Sequence, residues 1–170
     1  MTVLNRNPIN TGPLQPTKFL LTFSRISAVQ YFCQTVNLPG VQLGEVVRTT
    51  PFLDMYSPGT KLTYNNLDIS FILDSEMAGW KNLYNWFTSI ADPDGFEKRD
   101  GSIELQRSKH FSDATLTILS SLNNPMLRVN FTNLFPVSMS DIRFDTTSSA
   151  DTIITVDASF RYQSYVYLTA

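Results

Sequence analysis

The chain has 170 residues, and 13 Lys plus Arg against 15 Asp plus Glu give it a net charge of −2. This slightly acidic balance argues against a protein that grips DNA through a basic surface. A single cysteine, Cys33, excludes an intramolecular disulfide, and with one histidine, His110, it nearly excludes a Cys/His zinc site.

Length and charge density also bear on organisation. The chain is long enough for one domain with its own core, and no internal repeat is visible. It contains neither a run of about 18 apolar residues nor a secretory leader, so we expect a soluble protein of a reducing compartment without membrane insertion. Charged residues make up only 16% of the chain. This low fraction of charged residues is expected for a subunit whose surface is covered by neighbours, and equally for a slightly hydrophobic monomer.

The N-terminal part is predicted to be an arm followed by strands. Residues 1–16 contain three prolines and little periodicity, which indicates an arm ahead of a single domain over residues 17–170. Alternating apolar residues predict strands over residues 17–24 and 29–36, close enough to form a hairpin.

A third extended piece follows a turn at residues 37–40, where Pro and Gly favour a change of direction. Residues 41–50 are predicted to be extended, and residues 51–61 to be a loop or hairpin tip. Apolar side chains at such a tip are a liability unless a partner covers them. The candidates for contact between subunits here are Phe52, Leu53, Met55 and Tyr56.

The clearest local pattern is a strand that passes into a helix. Apolar residues alternate over residues 67–73, and Asp74 or Ser75 then caps a helix that spans about residues 75–91. Apolar residues recur every three or four positions along this helix and predict a buried stripe. Besides Met77, the helix core is predicted to consist of Trp80, Leu83, Tyr84, Phe87 and Ile90.

A long hydrophilic loop, residues 92–112, connects the helix to the C-terminal strands. Its length is unusual for a compact domain and suggests a functional segment. The further candidates for contact between subunits lie in this loop and are Lys98, Arg99, Arg107 and Lys109.

The remaining sequence predicts β-structure. A strand is expected over residues 114–120. Residues 126–135 and 137–144 are either two strands or one strand bent at Pro136. The last strand is predicted to run from Ile154 to about Leu168, which is long enough to suit a sheet that continues beyond one chain.

No catalytic, metal or cofactor site emerges. His110 lies in the loop without a nucleophile motif, and Cys33 at strand spacing is interpreted as a buried, inert thiol. The acidic residues around Asp94 miss the calcium-loop spacing, and no phosphate-binding glycine loop is present. The aromatic residues near Trp80 lack interleaved basic residues, so core or interface packing is the default over base stacking.

The order of elements and several short motifs resemble the tail tube proteins of contractile-tailed bacteriophages, from about Thr17 to Tyr167. The Pro-rich N-terminal arm departs from that pattern. The motifs are Phe32-Cys33-Gln34, Leu38-Pro39-Gly40, Tyr84-Asn85-Trp86 and Ser89-Ile90.

The resemblance implies a mainly β fold, an antiparallel β-sandwich or barrel with one packed helix, and no cofactor. It also implies six-subunit rings whose inner strands join into a continuous barrel, stacked into a tube for DNA and the tape-measure protein. Tail sheath and baseplate proteins would be the other partners, in a virion assembled in the host cytoplasm. Related tubes occur in type VI secretion and pyocin-like machines.

Three alternatives stay open. A tube-initiating baseplate hub would use the same fold once per particle. A β-sandwich binding module would present a concave pocket made by residues 51–61 and 92–112. An enzyme would need carboxylates or His110 to converge in a cleft with perturbed pKa values.

Overall fold

The computed structural model describes residues 12–91, 110–147, 149 and 152–169. Antiparallel strands dominate this part of the chain, so the predicted mainly β fold is confirmed. The elements are β1 (Phe19–Phe23), α1 (Ser27–Phe32), β2 (Cys33–Val36), β3 (Val41–Thr49), β4 (Asp54–Tyr64), β5 (Leu67–Ile72), α2 (Ala78–Ile90), β6 (Ser112–Leu119), β7 (Pro125–Met139), β8 (Thr155–Arg161) and β9 (Ser164–Thr169).

Seven strands form one sheet in the order β1-β6-β7-β8-β5-β2, with β9 also paired to β7. The long strand β7 belongs to two layers. Its first part pairs with β6 and β9, and its last part pairs with β8. The register shifts between Pro136 and Ser138, where Pro136 cannot donate to a ladder. Of the two interpretations of this region, the single strand interrupted at Pro136 is therefore confirmed, but it ends at Met139 and residues 140–144 are not part of a strand.

The two layers enclose the core. The ring of Phe23 on β1 lies 5.4 Å from that of Phe160 on β8, although these strands are three positions apart in the sheet, so the sheet folds over on itself. Alternate residues of β1, β5, β6 and β8 point into the enclosed space. The largest fully buried side chains are Trp86, Phe71, Phe131, Phe160, Leu21, Ile26, Leu67, Leu83, Leu134, Val29, Val129 and Val156. We call these layers and their helices the body.

Helix α2 packs on the body close to where the sequence places it. It begins at Ala78 rather than near residue 75, and the Ala78 N–H donates to the Asp74 carboxylate at 2.9 Å. Gly79 marks the buried face, because a Cβ there would lie 3.2 Å from the Phe71 ring. The small residue lets the helix approach β5 closely.

The predicted helix core is partly wrong. Leu83 is fully buried, and Phe87 and Ile90 pack against the core as expected. Tyr84, however, is 46% exposed and stacks on the half-buried Trp80, with ring centroids 5.1 Å apart. The apolar stripe is so wide that the sequence is compatible with either of two neighbouring faces being buried. In the structure, the buried face contains Gly79, Leu83 and Trp86.

The predicted strand over residues 29–36 and its hairpin are also wrong. Residues 27–32 form helix α1, and β2 keeps only Cys33–Val36. β1 pairs with β6 and β2 pairs with β5, so the two strands do not pair with each other. Ile26 and Val29 both belong to the buried core, and α1 packs against β1, α2 and β5. This tertiary packing overrides the weak strand signal.

The predicted last strand divides at residues 162–163. β8 pairs with β5 and the end of β7, whereas β9 pairs with the start of β7 in the other layer. Buried positions change phase at the break, from Phe160 and Tyr162 to Tyr165. This change from even to odd residues was the sequence signal for the break.

Candidate functional site

Residues 41–64 form a β-hairpin that no other described strand joins. β3 and β4 pair only with each other, as a two-stranded sheet apart from the body. Every residue of β3 is exposed, and in β4 only Gly59 and Tyr64 are partly covered. The sequence had predicted a loop or tip over residues 51–61, but most of that segment is strand β4. The turn itself is confined to residues 50–53.

One face of this hairpin is mostly apolar and open to solvent. Strand alternation and the pairing register place one set of side chains on the same face. Their exposed fractions range from 46% to 67%. We call this set the apolar hairpin face; it consists of Val41, Leu43, Val47, Tyr56 and Leu62. The register also places Glu45, Thr49, Asp54 and Pro58 on the same face, so charged side chains interrupt and border the apolar ones. Such a surface on a soluble protein marks an interaction site.

A bulge bends the hairpin without turning this face over. The register shifts between Leu43 and Glu45, so that residues 59–61 lie opposite Gly44. Two extra residues on one strand preserve the alternation beyond the bulge. A Cβ on Gly59 would lie 2.6 Å from the Gly44 carbonyl oxygen, so only glycine fits there.

The tip of the hairpin is a closed turn that presents two apolar side chains. The Thr50 N–H donates to the Leu53 carbonyl at 3.2 Å, and the Leu53 N–H donates to Thr50 Oγ1 at 3.2 Å. Thr50 Oγ1–H donates to the same Leu53 carbonyl. Phe52 is 98% exposed and Leu53 71%. Hydrogen bonds therefore fix the turn while its apolar side chains face solvent.

The candidates for contact between subunits fall into two groups. Phe52 and Leu53 lie at the tip, Tyr56 lies on the apolar hairpin face, and Met55 lies on the opposite face. The charged candidates of the long loop, Lys98, Arg99, Arg107 and Lys109, lie outside the described residues, as do residues 1–11 of the predicted arm.

The body also has open sheet edges. β1 and β9 each pair on one side only with a described strand, and so does β2. β9 carries no charged residue, and Val166, Tyr167 and Leu168 are each at least half exposed. Unprotected edges of this kind pair readily with another chain.

The described residues do not assemble the chemistry of an active site. Trp86 Nε1 donates to the His110 backbone carbonyl at 2.9 Å. Cys33 is partly buried, and burial raises the pKa of its thiol to about 11, which disfavours the reactive thiolate. In the part of the chain that is described, no group of three or more His, Cys, Asp or Glu side chains is placed to hold a metal.

A shallow polar groove lies on the outer face of β2, β5 and β8. Asp68 is its central charged group, but its carboxylate already accepts hydrogen bonds from Asn37 Nδ2 at 3.2 Å and from Ser159 Oγ. Asn37 is itself bonded to the backbone of residues 66 and 68. Asn37, Asp68 and Ser159 therefore satisfy one another, and Asp157 is a second carboxylate that lines the groove.

Comparison with known proteins identifies relatives by family and by fold. A family model described as phage tail tube protein matches residues 13–168. No curated protein sequence matches the chain. No described helix is long and apolar enough to cross a membrane.

Solved structures with similar folds come from contractile injection systems. The tube-terminating cap structure of the anti-feeding prophage has a TM-score of 0.68 at 16% identity, and the match covers 100% of both chains. A PVC sheath/tube terminator structure has a TM-score of 0.63 at 14% identity and covers 93% of this chain and 98% of its own. A type six secretion system protein has a TM-score of 0.52 at 10% identity, covering 89% of this chain and 82% of its own.

The fold likeness extends over the whole chain, and the family model covers all but its first 12 and last two residues. This chain therefore belongs to the phage tail tube protein family, whose members are structural proteins and not enzymes.

Proposed function

We propose that this protein is the repeating subunit of a phage tail tube, in which copies form six-membered rings that stack around a channel for DNA. The observation that carries the proposal is the apolar hairpin face, which the chain's own body leaves uncovered. A second copy of the chain is its occupant. The hairpin is long enough to reach beyond its own body and lie against a neighbour, where burial of its apolar side chains stabilises the contact.

Ring closure is supported by the strand count of each layer. The first layer runs β1-β6-β7-β9 and the second β7-β8-β5-β2, with every pair antiparallel. Each layer therefore has four strand segments, an even number. A layer repeated head to tail keeps its strands antiparallel at every junction, so copies can join edge to edge into a closed barrel without open edges.

DNA passage is supported by the low charge of both layers. The strands of the first layer carry Asp113 and Arg128, which sum to zero. Those of the second carry Asp68 and Asp157 against Arg161, which sum to −1. Whichever layer faces the channel, its lining is neutral to weakly acidic and does not hold the phosphate backbone.

The proposed partners and location follow from the family and from the assemblies that contain the similar structures. These assemblies are a sheath-tube complex and a baseplate, and we propose a tail sheath and a baseplate as neighbours of this tube. A tape-measure protein would occupy the channel during assembly in the host cytoplasm, before the tube becomes part of the virion tail. Residues 1–16 act as an arm and residues 17–170 as the tube domain in this proposal.

Electron microscopy of the purified protein tests the proposal directly. We expect rings of six subunits, which stack into tubes as the concentration rises. A species that stays a single subunit at high concentration would count against self-assembly, and rings of another size would correct the stoichiometry.

A second candidate is a subunit that begins or ends the tube and is present once per particle as a single ring. It is favoured by the cap structure, which matches over the full length of both chains. Copy number in purified particles separates the two roles, because a repeating subunit is present in many rings.

A further inference from the structure

The hairpin leaves the body through two short segments, residues 37–40 before β3 and residues 65–66 after β4. We call these two segments the hairpin root. The Asn65 N–H donates to the Gly40 carbonyl at 3.0 Å, which joins the segments, and the Asn37 N–H donates to the Asp68 carbonyl at 3.1 Å. The direction of the whole hairpin depends on what holds this root.

Two tyrosine hydroxyls reach the root from the core side. Tyr162 Oη donates to the Asn65 carbonyl at 3.0 Å, and Tyr165 Oη donates to the Pro39 carbonyl at 3.4 Å. Each segment of the root thus receives one hydroxyl. Tyr162 lies in the break between β8 and β9, where the chain crosses from one layer to the other, and Tyr165 is the second residue of β9.

Ring contacts fix the positions of these hydroxyls. The fully buried Phe131 packs edge to face against Tyr162, with centroids 5.0 Å apart, and lies 5.7 Å from Tyr165. Tyr64, the last residue of β4, lies 5.8 Å and 5.3 Å from the same two rings. The end of the hairpin is therefore clamped to a cluster that belongs to the core.

Side chains hold the root from its other side as well. Asn37 Oδ1 accepts a hydrogen bond from the Asp68 N–H at 2.7 Å, and Asn37 Nδ2 donates to the Asn66 carbonyl at 3.1 Å. Arg161 Nε donates to Asn66 Oδ1 at 3.0 Å. The root is thus bonded on both faces, unlike the hairpin beyond it.

We propose that Tyr162, Tyr165 and Asn37 are positioning residues that fix the direction of the hairpin in the free subunit, before any partner is present. The apolar hairpin face is then presented to a second copy already oriented, which lowers the conformational entropy lost on association. The benefit for assembly rests on the proposed function; the fixed direction of the root does not. Burial raises the pKa of Tyr162 to about 12, so its hydroxyl remains a donor throughout the physiological range.

Hydrogen exchange on the single-subunit fraction tests the fixed root. In a double variant, Tyr162→Phe with Tyr165→Phe, both rings stay and both hydroxyls are lost. We expect the amides of Asn37 and Asn65 to exchange on the order of tenfold faster, while amides of β5 and β8 keep their rates. Tyr31→Phe is the matched control, since this 84% exposed tyrosine of α1 makes no hydroxyl hydrogen bond to a described residue. Equal root exchange in the double variant and the control overturns the proposal.

If the double variant fails to fold, Asn37→Ala tests the same root from the opposite side with the tyrosines intact. It should accelerate exchange at Asn65 and leave the core amides unchanged. Unchanged exchange at Asn65 in this variant overturns the proposal equally.

Assembly of the same variants gives the second readout. We expect the double variant to require a concentration roughly five- to tenfold higher for ring formation than the wild type or Tyr31→Phe, with a melting temperature lowered by only a few degrees, as the loss of two hydrogen bonds predicts. Faster root exchange with unaltered assembly overturns the positioning role. If even the wild type forms no rings, the proposed function fails, while the exchange data still decide whether the root is fixed.

Discussion

The body and the hairpin use the same alternating pattern and reach opposite states of burial. On β5, Leu67, Ile69 and Phe71 are at most 3% exposed, whereas Val41 and Leu43 on β3 are about half exposed. The two strands belong to a continuous run of chain separated only by β4 and the root. An alternating pattern thus identifies the face of a strand that favours burial, but it does not show whether that face packs against the same chain or another one.

This difference separates the free energy of folding of one subunit from the free energy of association between subunits. Burial in the body supplies the free energy of folding within one subunit, whereas in the proposed assembly the hairpin gains its apolar burial from a second copy. Substitutions in one region should therefore change stability and substitutions in the other should change assembly. Each prediction below tests that separation.

The largest expected effect is loss of assembly on placing a charge at the hairpin tip. Leu53→Asp would bury a carboxylate in the proposed contact with a neighbour, which is strongly unfavourable. We expect no rings by electron microscopy or sedimentation, with the free energy of unfolding changed by less than about 0.5 kcal/mol. Ser75→Asp, a charge added at an exposed position of the body, should leave both unchanged. If Leu53→Asp unfolds the chain, the tip belongs to the core and the comparison is wrong.

The next largest effect is expected in the body. Trp86 is 1% exposed, contacts Phe160 and has Arg25 over its ring, and its indole N–H is bonded to the His110 carbonyl. Trp86→Ala should lower the free energy of unfolding by about 3–5 kcal/mol through the cavity that it leaves. Urea denaturation measures this. Tyr84→Ala on the exposed side of α2 should lower the free energy of unfolding by less than about 1 kcal/mol. A loss as large as that of Trp86→Ala would mean that Tyr84 belongs to the core.

A smaller effect is expected where the hairpin bends. Gly59→Ala places a Cβ 2.6 Å from the Gly44 carbonyl oxygen, so the bulge must open. We expect a local destabilisation of about 1–3 kcal/mol, seen as faster amide exchange in β3 and β4 with no change in the body. The matched control is Gly44→Ala, whose Cβ would meet its nearest neighbour, the Lys61 carbonyl oxygen, at 3.4 Å. If both variants exchange alike, the close approach at Gly59 does not shape the hairpin.

Much of the body was predictable because its signals are local. The strand β5, the helix α2 and the bend of β7 at Pro136 follow from alternation, helical spacing and proline chemistry. The helix α1 was not predictable in this way. Only six residues long and without a cap, it is held by the packing of Val29 rather than by its own propensity.

The sequence predicts the type of residues at the candidate site, but not how the fold arranges them. Exposed apolar residues at positions 52–56 follow from the sequence, but the extent of the apolar hairpin face depends on the bulge at Gly44 and Gly59. The roles of Tyr162 and Tyr165 depend on contacts with residues about a hundred positions away. In the sequence, Tyr162 and Tyr165 show only that the buried positions shift from even to odd residues. The neighbouring sequence does not predict which backbone carbonyls their hydroxyls contact.

The smallest expected effect concerns Cys33, which lies on the edge strand β2 and is partly buried by the body. Burial raises the pKa of its thiol from 9.0 to about 11, so between these values the unfolded chain loses the proton while the folded chain keeps it. The contribution to stability is therefore full below pH 9 and is lost as the pH rises through about 11. Urea denaturation across this window should show a decline that Cys33→Ala reduces. At pH 8, iodoacetamide should alkylate the folded protein about a hundredfold more slowly than the protein in urea. Equal rates would mean that the body leaves β2 as open as the hairpin.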